Sequence, residues 1–371
     1  MLLLSADPAR AALDARVLAW LREPPEGWHR DEARFESLAR DLFAYQFAHC
    51  APYRRFCERR ERTPDRIADW REIPAVPAGA FKEMALRSFP AEREAHVFRT
   101  SGTSTERRGT LHLDTLEIYE ASLLPGFRRG VLPDLAPGER ARIRVLAPSA
   151  AETPDSSLSH MFGVVLRELG DAASGFDVHH GALHAGALVA ALEKSAADGV
   201  PVALCGTAFA LVHLLDVLAE RAVRIPLVAG SRVMETGGFK GRSREMPREA
   251  LYAEIEHALA VAPARIINQY GMTELGSQFY DSVLREPTRP RRKLAPPWTR
   301  VRLVDPETGD EAGPGAPGIV TILDLANTGS VLAIQTADLG RTVDDGFEVI
   351  GREPGAEARG CSIAADEMLA T

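Results

Sequence analysis

The sequence predicts an α/β fold: helix-covered, mostly parallel sheets joined to a small β module. Two observations predict it. Short apolar runs at 142–147, 200–205 and 266–269 alternate with stretches of helical periodicity between 185 and 260, the pattern of parallel strands covered by helices. After Arg285 the helical stretches stop, and short apolar runs separated by Gly/Asp turns take over. A length of 371 residues carries a prior of about two domains.

Residues 1–70 read mostly as helix, with Phe35, Leu38, Leu42, Phe43 and Phe47 at helical spacing. Pro74, Pro77 and Pro90 break that pattern and lead, extended, into a Ser/Thr/Gly run. Arg142–Ala147 alternates as a strand does. Ala185–Ala197 is predicted helical, Val200–Cys205 a strand, Phe209–Arg221 a helix, Ile225–Ala229 a strand and Arg248–Ala260 a helix. Ile266–Gln269 is a strand that delivers Tyr270. Pro287–Lys293, proline-rich and basic, reads as a solvated loop, with a phosphate or partner contact as the other option. Val301–Val304, Gly318–Ile322, Val331–Ile334 and Phe347–Ile350 read as the strands of the β module. The expected boundaries are an α/β body over 1–295, the β module over 296–350 and a hinge-like tail over 351–371.

The composition, 45% hydrophobic and 26% charged, is that of a globular protein with ample core. A net charge of −8 argues against nucleic-acid binding, which needs a basic face. A polyanion such as ATP can still bind where Arg99, Arg107 and Arg108 gather positive charge. The opening Met1–Asp7 lacks the basic flank and apolar length of a signal peptide. No apolar stretch approaches the roughly 20 residues that span a bilayer. Cys50, Cys57, Cys205 and Cys361 form neither a C-x-x-C pair nor zinc spacing, so a cytoplasmic protein with reduced thiols is expected.

Three separated motifs carry chemistry. In Thr100-Ser101-Gly102-Thr103-Ser104-Thr105, Gly102 lets the backbone turn closely. The hydroxyls and N–H groups around it can cradle phosphates, or form a plain polar turn; no Walker lysine follows. In Tyr270-Gly271-Met272-Thr273-Glu274, Tyr270 offers a flat face to a base, Thr273 a hydroxyl to phosphate and Glu274 a hard oxygen to Mg²⁺. The alternative is an ordinary helix start capped by Thr273 and Glu274. Asp338, expected just past an apolar strand, can accept ribose hydroxyls or sit in a turn; Arg352 can reach ribose or phosphate. Gly237, Gly238, Phe239 and Lys240 suit a loop beside a planar base, with the lysine near phosphate or carboxylate, or a glycine-rich hairpin. His160 can line an acid pocket.

In this order the motifs resemble the adenylate-forming (acyl-AMP) superfamily, and more narrowly its acyl-protein synthetase, LuxE-type, family. Ile73–Pro77 with Phe81-Lys82, Ser156-Ser157-Leu158, Glu235–Gly238 and Arg359–Ser362 add to the likeness, which runs from about residue 70 onward. The resemblance implies the fold of the large N-terminal domain of those enzymes without the usual C-terminal domain. It implies ATP and Mg²⁺, a carboxylic (fatty) acid substrate, and a reductase or acyltransferase partner. Residues Thr100–Thr105 would grip the outer phosphates. Gly237, Gly238 and Tyr270 would frame adenine, Asp338 would hold ribose, and Thr273 and Glu274 would serve the α-phosphate and Mg²⁺; Gly271, Met272 and Arg352 would add to the nucleotide site, and Lys240 would assist catalysis. His160 and Phe239 would line the substrate pocket. Cys361 would accept the acyl group as a thioester: Gly360 permits a mobile approach, Arg359 favours the thiolate, and AMP is a competent leaving group. The other readings are an aryl- or acyl-acid adenylating enzyme related to aryl-CoA ligases, and an inert adenylate or acyl binder.

Overall fold

The computed structural model describes residue 5 and residues 7–101, 107–237, 246–352 and 368. The chain forms two compact units. The first is Met1–Gly126, Met272–Gln278 and Leu294–Thr371; the second is Phe127–Gly271 with Phe279–Lys293.

The second unit is built on a sheet in the order Gly175–Phe176, Arg142–Leu146, Val202–Thr207, Arg232–Thr236, Ile266–Tyr270 and Phe279–Asp281. The first five strands are parallel and the last is antiparallel. Strand Arg232–Thr236 is buried along its whole length, as a central parallel strand covered on both faces must be. Helices Ala208–Glu220 and Arg248–Leu259 press Leu211, Leu214, Leu218, Ile255 and Leu259 into one apolar cluster with Val233 and Ile266. Thr207 ends its strand and caps the helix, accepting from Ala210 N at 3.2 Å. Segment 225–229 is not the strand its apolar run predicts. Pro226 has no N–H to give a ladder, and the N–H groups of Ile225 and Leu227 bind Ala258 O and Leu259 O at the end of the neighbouring helix.

The first unit opens with helices Pro8–Leu21, Glu32–His49 and Ala51–Arg59. Asp7 and Asp31 cap the first two, each accepting a backbone N–H at 2.9 Å. Strands Thr299–Val304, Gly318–Asp324, Ala333–Val343 and Gly346–Arg352 form an antiparallel sheet, and Val76–Pro77 adds in parallel to Ala333–Val343. The strand expected at 331–334 therefore starts at Ala333 and runs on through Asp338, which lies inside it. Val331 and Leu332 enter a buried connection instead. His96–Arg99 and Thr110–Leu113 pair as a hairpin, and Thr100 and Gly109 stand at the facing ends of its two strands. Helices Glu117–Val131 and Ser157–Leu169 went unassigned from sequence. Among the described residues no helix is long and apolar enough to cross a membrane.

Gly130 shows how closely the second unit is packed. A Cβ there would lie 2.5 Å from both Cβ and Cγ of Tyr280. Gly130→Ala is expected to lower stability by about 1–3 kcal/mol in urea unfolding, despite alanine's higher helix propensity.

Candidate active site

In the first unit the hairpin brings two of the sequence motifs together. Thr100 N–H donates to Gly109 O at 2.9 Å, and Gly109 N–H returns a bond to Thr100 Oγ1, also at 2.9 Å. Arg108 Nε donates to Thr100 O at 2.6 Å, and its Nη2 to Arg99 O at 3.2 Å. Arg107 Nη1 donates to Glu83 Oε2 at 2.9 Å. Both arginines thus bind protein groups at the loop base. A Cβ on Gly109 would sit 3.1 Å from Thr100 Cγ2, 3.4 Å from Glu274 Oε1 and 3.6 Å from Phe81 Cβ. The Glu274 carboxylate, 5% exposed, therefore lies against the foot of the Thr100 loop.

Glu274 is held by a turn and not by the helix start its sequence suggests. Leu275 N–H donates to Met272 O at 3.2 Å, and the chain then reverses so that Phe279 pairs with Tyr270. Gly276 permits this: a Cβ would meet Ala326 Cβ at 2.9 Å and Asn327 Oδ1 at 3.0 Å. Asn327 Nδ2 donates to Glu274 O at 2.8 Å. Ser277 Oγ donates to Asp324 Oδ1 at 2.8 Å, receives Trp298 Nε1–H at 3.0 Å and meets Ser122 Oγ at 2.9 Å. With its single proton committed to the carboxylate, Ser277 accepts from the other two. Asp324 is fully buried, and burial pushes its carboxyl up to about 6 against the Ser277 and Ala326 hydrogen bonds. Its Oδ2 has no hydrogen bond among the described residues.

Asp338 pairs across the sheet with Arg352, whose Nε donates to Asp338 Oδ1 at 3.3 Å. Thr336 Oγ1 donates to Val320 O at 2.8 Å and accepts from Asp338 N at 3.1 Å, which fixes the backbone beneath the carboxylate. Asp338 and Arg352 thus form one ion-paired set.

In the second unit, strands Arg232–Thr236 and Ile266–Tyr270 end side by side, with Gln269 paired to Thr236. Thr236 Oγ1 donates to Gln269 O at 3.1 Å. Gly237 follows at φ +70°, a left-handed conformation that favours glycine. The Tyr270 ring packs 6.3 Å from Phe279, tilted by 47°. Behind these strand ends lies a buried polar network. Glu235 accepts from Tyr252 Oη at 3.0 Å and Asn268 Nδ2 at 2.7 Å. Lys293 Nζ donates to Asp281 Oδ1 at 2.6 Å and Asn268 O at 2.8 Å, and Arg291 Nη1 binds Asp281 Oδ2 at 2.5 Å. Burial raises Glu235, with Lys293 opposing it. Burial would also raise Asp281, but Lys293 and Arg291 outweigh it and hold the carboxyl below its ordinary value. The solvated-loop reading of 287–293 therefore fails at its end: Arg292 is 1% and Lys293 3% exposed, each tied to acids and carbonyls. His160 lies on helix Ser157–Leu169, its N–H donating to Ser156 O at 3.0 Å.

Gly102, Thr103, Ser104, Thr105, Gly238, Phe239, Lys240 and Cys361 lie outside the described residues. Cys50, Cys57 and Cys205 are buried free thiols; burial raises all three, Cys50 to about 11 and Cys205 to about 12, which suppresses the reactive thiolate. Sequence reasoning missed Gly109, Ser277, Asp324 and Asn327, which position Thr100 and Glu274, and the role of Lys293. Among the described residues no three His, Cys, Asp or Glu side chains cluster as metal ligands. The chemistry of a single buried carboxylate, Glu274, fits Mg²⁺, which is held by one or two carboxylates and completed by phosphate oxygens and water.

Solved structures place this architecture. A 2-hydroxyisobutyryl-CoA ligase in an open conformation, complexed with 2-HIB-AMP and CoA, superposes with a TM-score of 0.62 at 15% identity, over 86% of this chain and 70% of that one. The same ligase in its postadenylation state, with R3-HIB-AMP, gives 0.64 at 14% identity, over 86% and 67%. The fold is that of the adenylate-forming ligases. Residues 9–370 match the acyl-protein synthetase, LuxE family, and the chain belongs to it; it is a ligase of the adenylate-forming type. The long-chain-fatty-acid–luciferin-component ligase of Aliivibrio fischeri is 23% identical over 324 residues, 85% of this chain and 82% of that protein. Its namesake in Vibrio harveyi is 19% identical over 356 residues, 93% and 91% of the two chains.

Asp324 generates a stability prediction. Its carboxyl rises from 3.8 to about 6 on folding, so between those pH values the native state keeps a proton that the unfolded chain has lost. Stability from this group falls as pH rises through that window and stays reduced above it. Asp324→Asn removes the buried charge while leaving an oxygen for Ser277. Urea titrations should show the variant gaining on the parent from about pH 4 to pH 6, by at most about 3 kcal/mol, then holding a constant lead.

Proposed function

We propose that the protein uses ATP to activate a long-chain fatty acid as an acyl-AMP and passes the acyl group to its own Cys361 as a thioester for a partner reductase or acyltransferase. Membership of the acyl-protein synthetase family supports the reaction class. The observation that carries the site assignment is the Glu274 carboxylate at the foot of the Thr100 loop. The long-chain acid is taken from the names of the Aliivibrio and Vibrio relatives.

In the first step a carboxylate oxygen of the acid attacks the α-phosphorus of ATP. The new P–O bond forms as the bond to pyrophosphate breaks, and pyrophosphate leaves with the electron pair. The hydroxyls of Thr100, Ser101, Thr103, Ser104 and Thr105, with N–H groups beyond Thr100, whose own N–H is taken by Gly109 O, hold the outer phosphates, so that charge developing on the leaving group meets fixed dipoles. Thr273 serves the α-phosphate. Mg²⁺, when bound through Glu274, supplies a Lewis acid that neutralises phosphate charge. Gly237, Gly238 and Tyr270 frame adenine, Asp338 holds the ribose, Gly271, Met272 and Arg352 add to the nucleotide site, and Lys240 assists catalysis. His160 and Phe239 line the acid pocket. In the second step the Cys361 thiolate attacks the acyl carbonyl carbon; the C–S bond forms, the C–O bond to phosphate breaks, and AMP departs. Burial of the Cys50, Cys57 and Cys205 thiols makes them poor nucleophiles, which supports Cys361 as the acceptor. Cys361 follows strand Gly346–Arg352 in the chain and receives the acyl group from the adenylate, in a cytoplasmic setting that keeps thiols reduced.

Two measurements test this reading. ATP–pyrophosphate exchange should respond to long-chain fatty acids in an acid panel, and Glu274→Gln should lower it by roughly 100-fold or more. Exchange with no acid would identify a binder and sink the proposal; exchange confined to aryl acids would replace the substrate class. Intact-chain mass spectrometry should find one acyl adduct, absent in Cys361→Ala while exchange persists. An adduct that survives this substitution, or never forms despite exchange, rules out Cys361 as acceptor.

A further inference from the structure

Loops usually run over a protein surface, because burial strands their backbone polar groups. The connection between strands Gly318–Asp324 and Ala333–Val343 runs inside. Residues 324–328 and 330–332 are each at most 6% exposed, and other segments satisfy their polar groups. Gln46 donates to Asn327 O at 2.8 Å and accepts from Leu332 N at 2.9 Å. Arg10, itself 1% exposed, donates to Thr328 Oγ1 at 2.8 Å. Ser88 N–H donates to Gly329 O at 2.9 Å, and Ser330 Oγ to Leu86 O at 2.6 Å. The connection is thereby pinned by two helices and by the segment before the phosphate hairpin.

This rigid connection projects one side chain amide onto the Glu274 turn. Asn327 is 3% exposed; its Nδ2 binds Glu274 O, and its Oδ1 sits where a side chain at 276 would have to go. At the far end of the turn Asp324 takes the Ser277 hydroxyl. We propose that Asn327 is a positioning residue for Glu274: it fixes the backbone of that residue so that the carboxylate meets Gly109 and Thr100 in one rotamer. The assignment rests on Glu274 as the metal-binding side chain. Asn327 touches neither nucleotide nor acid; it acts through the Glu274 carbonyl, as outer partners orient metal ligands elsewhere.

The test measures Mn²⁺–ATP binding by electron paramagnetic resonance of the free metal, with the melting temperature of the nucleotide-free protein as control. Asn327→Asp keeps the shape but loses the donor and sets a carboxylate against the Glu274 and Val331 carbonyls. Asn327→Ser keeps the site neutral and is too short to reach; it carries the test where the aspartate variant does not fold. Each should weaken Mn²⁺–ATP binding by roughly ten-fold or more, well beyond what any lowered melting temperature accounts for, with ATP affinity without metal unchanged. Glu274→Gln should lose the metal-dependent part outright. Parental Mn²⁺–ATP affinity in both Asn327 variants, alongside loss in Glu274→Gln, overturns the role of Asn327. Affinity that falls only in step with melting assigns Asn327 a purely structural role and overturns it too. Parental affinity in Glu274→Gln removes the metal reading of Glu274, and this assignment with it.

Discussion

The two strands of the hairpin end on a reciprocal pair of hydrogen bonds between Thr100 and Gly109, and the Gly109 α-carbon faces the Glu274 carboxylate. The rest of the first unit's candidate site depends on that contact. A Cβ at 109 would be tight against Thr100 Cγ2, at 3.1 Å, and would touch Glu274 Oε1 and Phe81 Cβ at van der Waals distance, at 3.4 and 3.6 Å. The glycine thus lets the Thr100 end of the hairpin and the Glu274 carboxylate lie close together. It does so by contributing no atoms, which no count of polar residues would reveal. Behind the carboxylate, Asn327 holds the Glu274 carbonyl and Asp324 holds the Ser277 hydroxyl, one near each end of the turn.

The second unit solves a different problem in the same way. Two strands must end in register to present Thr236, Gly237 and Tyr270, and the network of Glu235, Asn268, Asp281, Arg291 and Lys293 locks them from behind. Burying five such groups stabilises little in net terms, because desolvation offsets the ion pairing. What a fully satisfied network provides is a single geometry. In both units, buried polar groups stand one layer behind the residues assigned to the nucleotide.

The sequence made the large features legible. Apolar runs alternating with helical periodicity marked the parallel strands at 142–147, 200–205 and 266–269, because central strands must be apolar on both faces. Glu274 and the Thr100 run stood out because hydroxyl, glycine and acid side chains are informative in short order. Other features were hidden for physical reasons. Segment 225–229 is as apolar as a strand, yet Pro226 and a helix end claim its backbone. The turn after Tyr270 looks like a helix start because Thr and Glu favour both. Arg292 and Lys293 look solvated in a row of prolines and arginines, because Glu286, Asp281 and Asn268, which stand 6, 12 and 25 residues earlier, meet them only in the folded chain. Asn327 and Asp324 carry no local signal, since their importance arises from what the folded chain brings to them.

The buried connection at 324–332 also bears on how the chain comes to be folded. Arg10 and Thr328 are 318 residues apart, and Gln46 and Asn327 are 281 apart. On the ribosome the amino-terminal helices are made long before the strands that complete their polar contacts, and the whole of residues 127–271 emerges in between. Until then Arg10 holds a charge destined for the interior, and the inward faces of those helices stay wet. Closure of such distant pairs is entropically slow, so the nascent first unit stays incomplete until its last strands emerge, while the inserted second unit needs only Phe279–Lys293 to complete it.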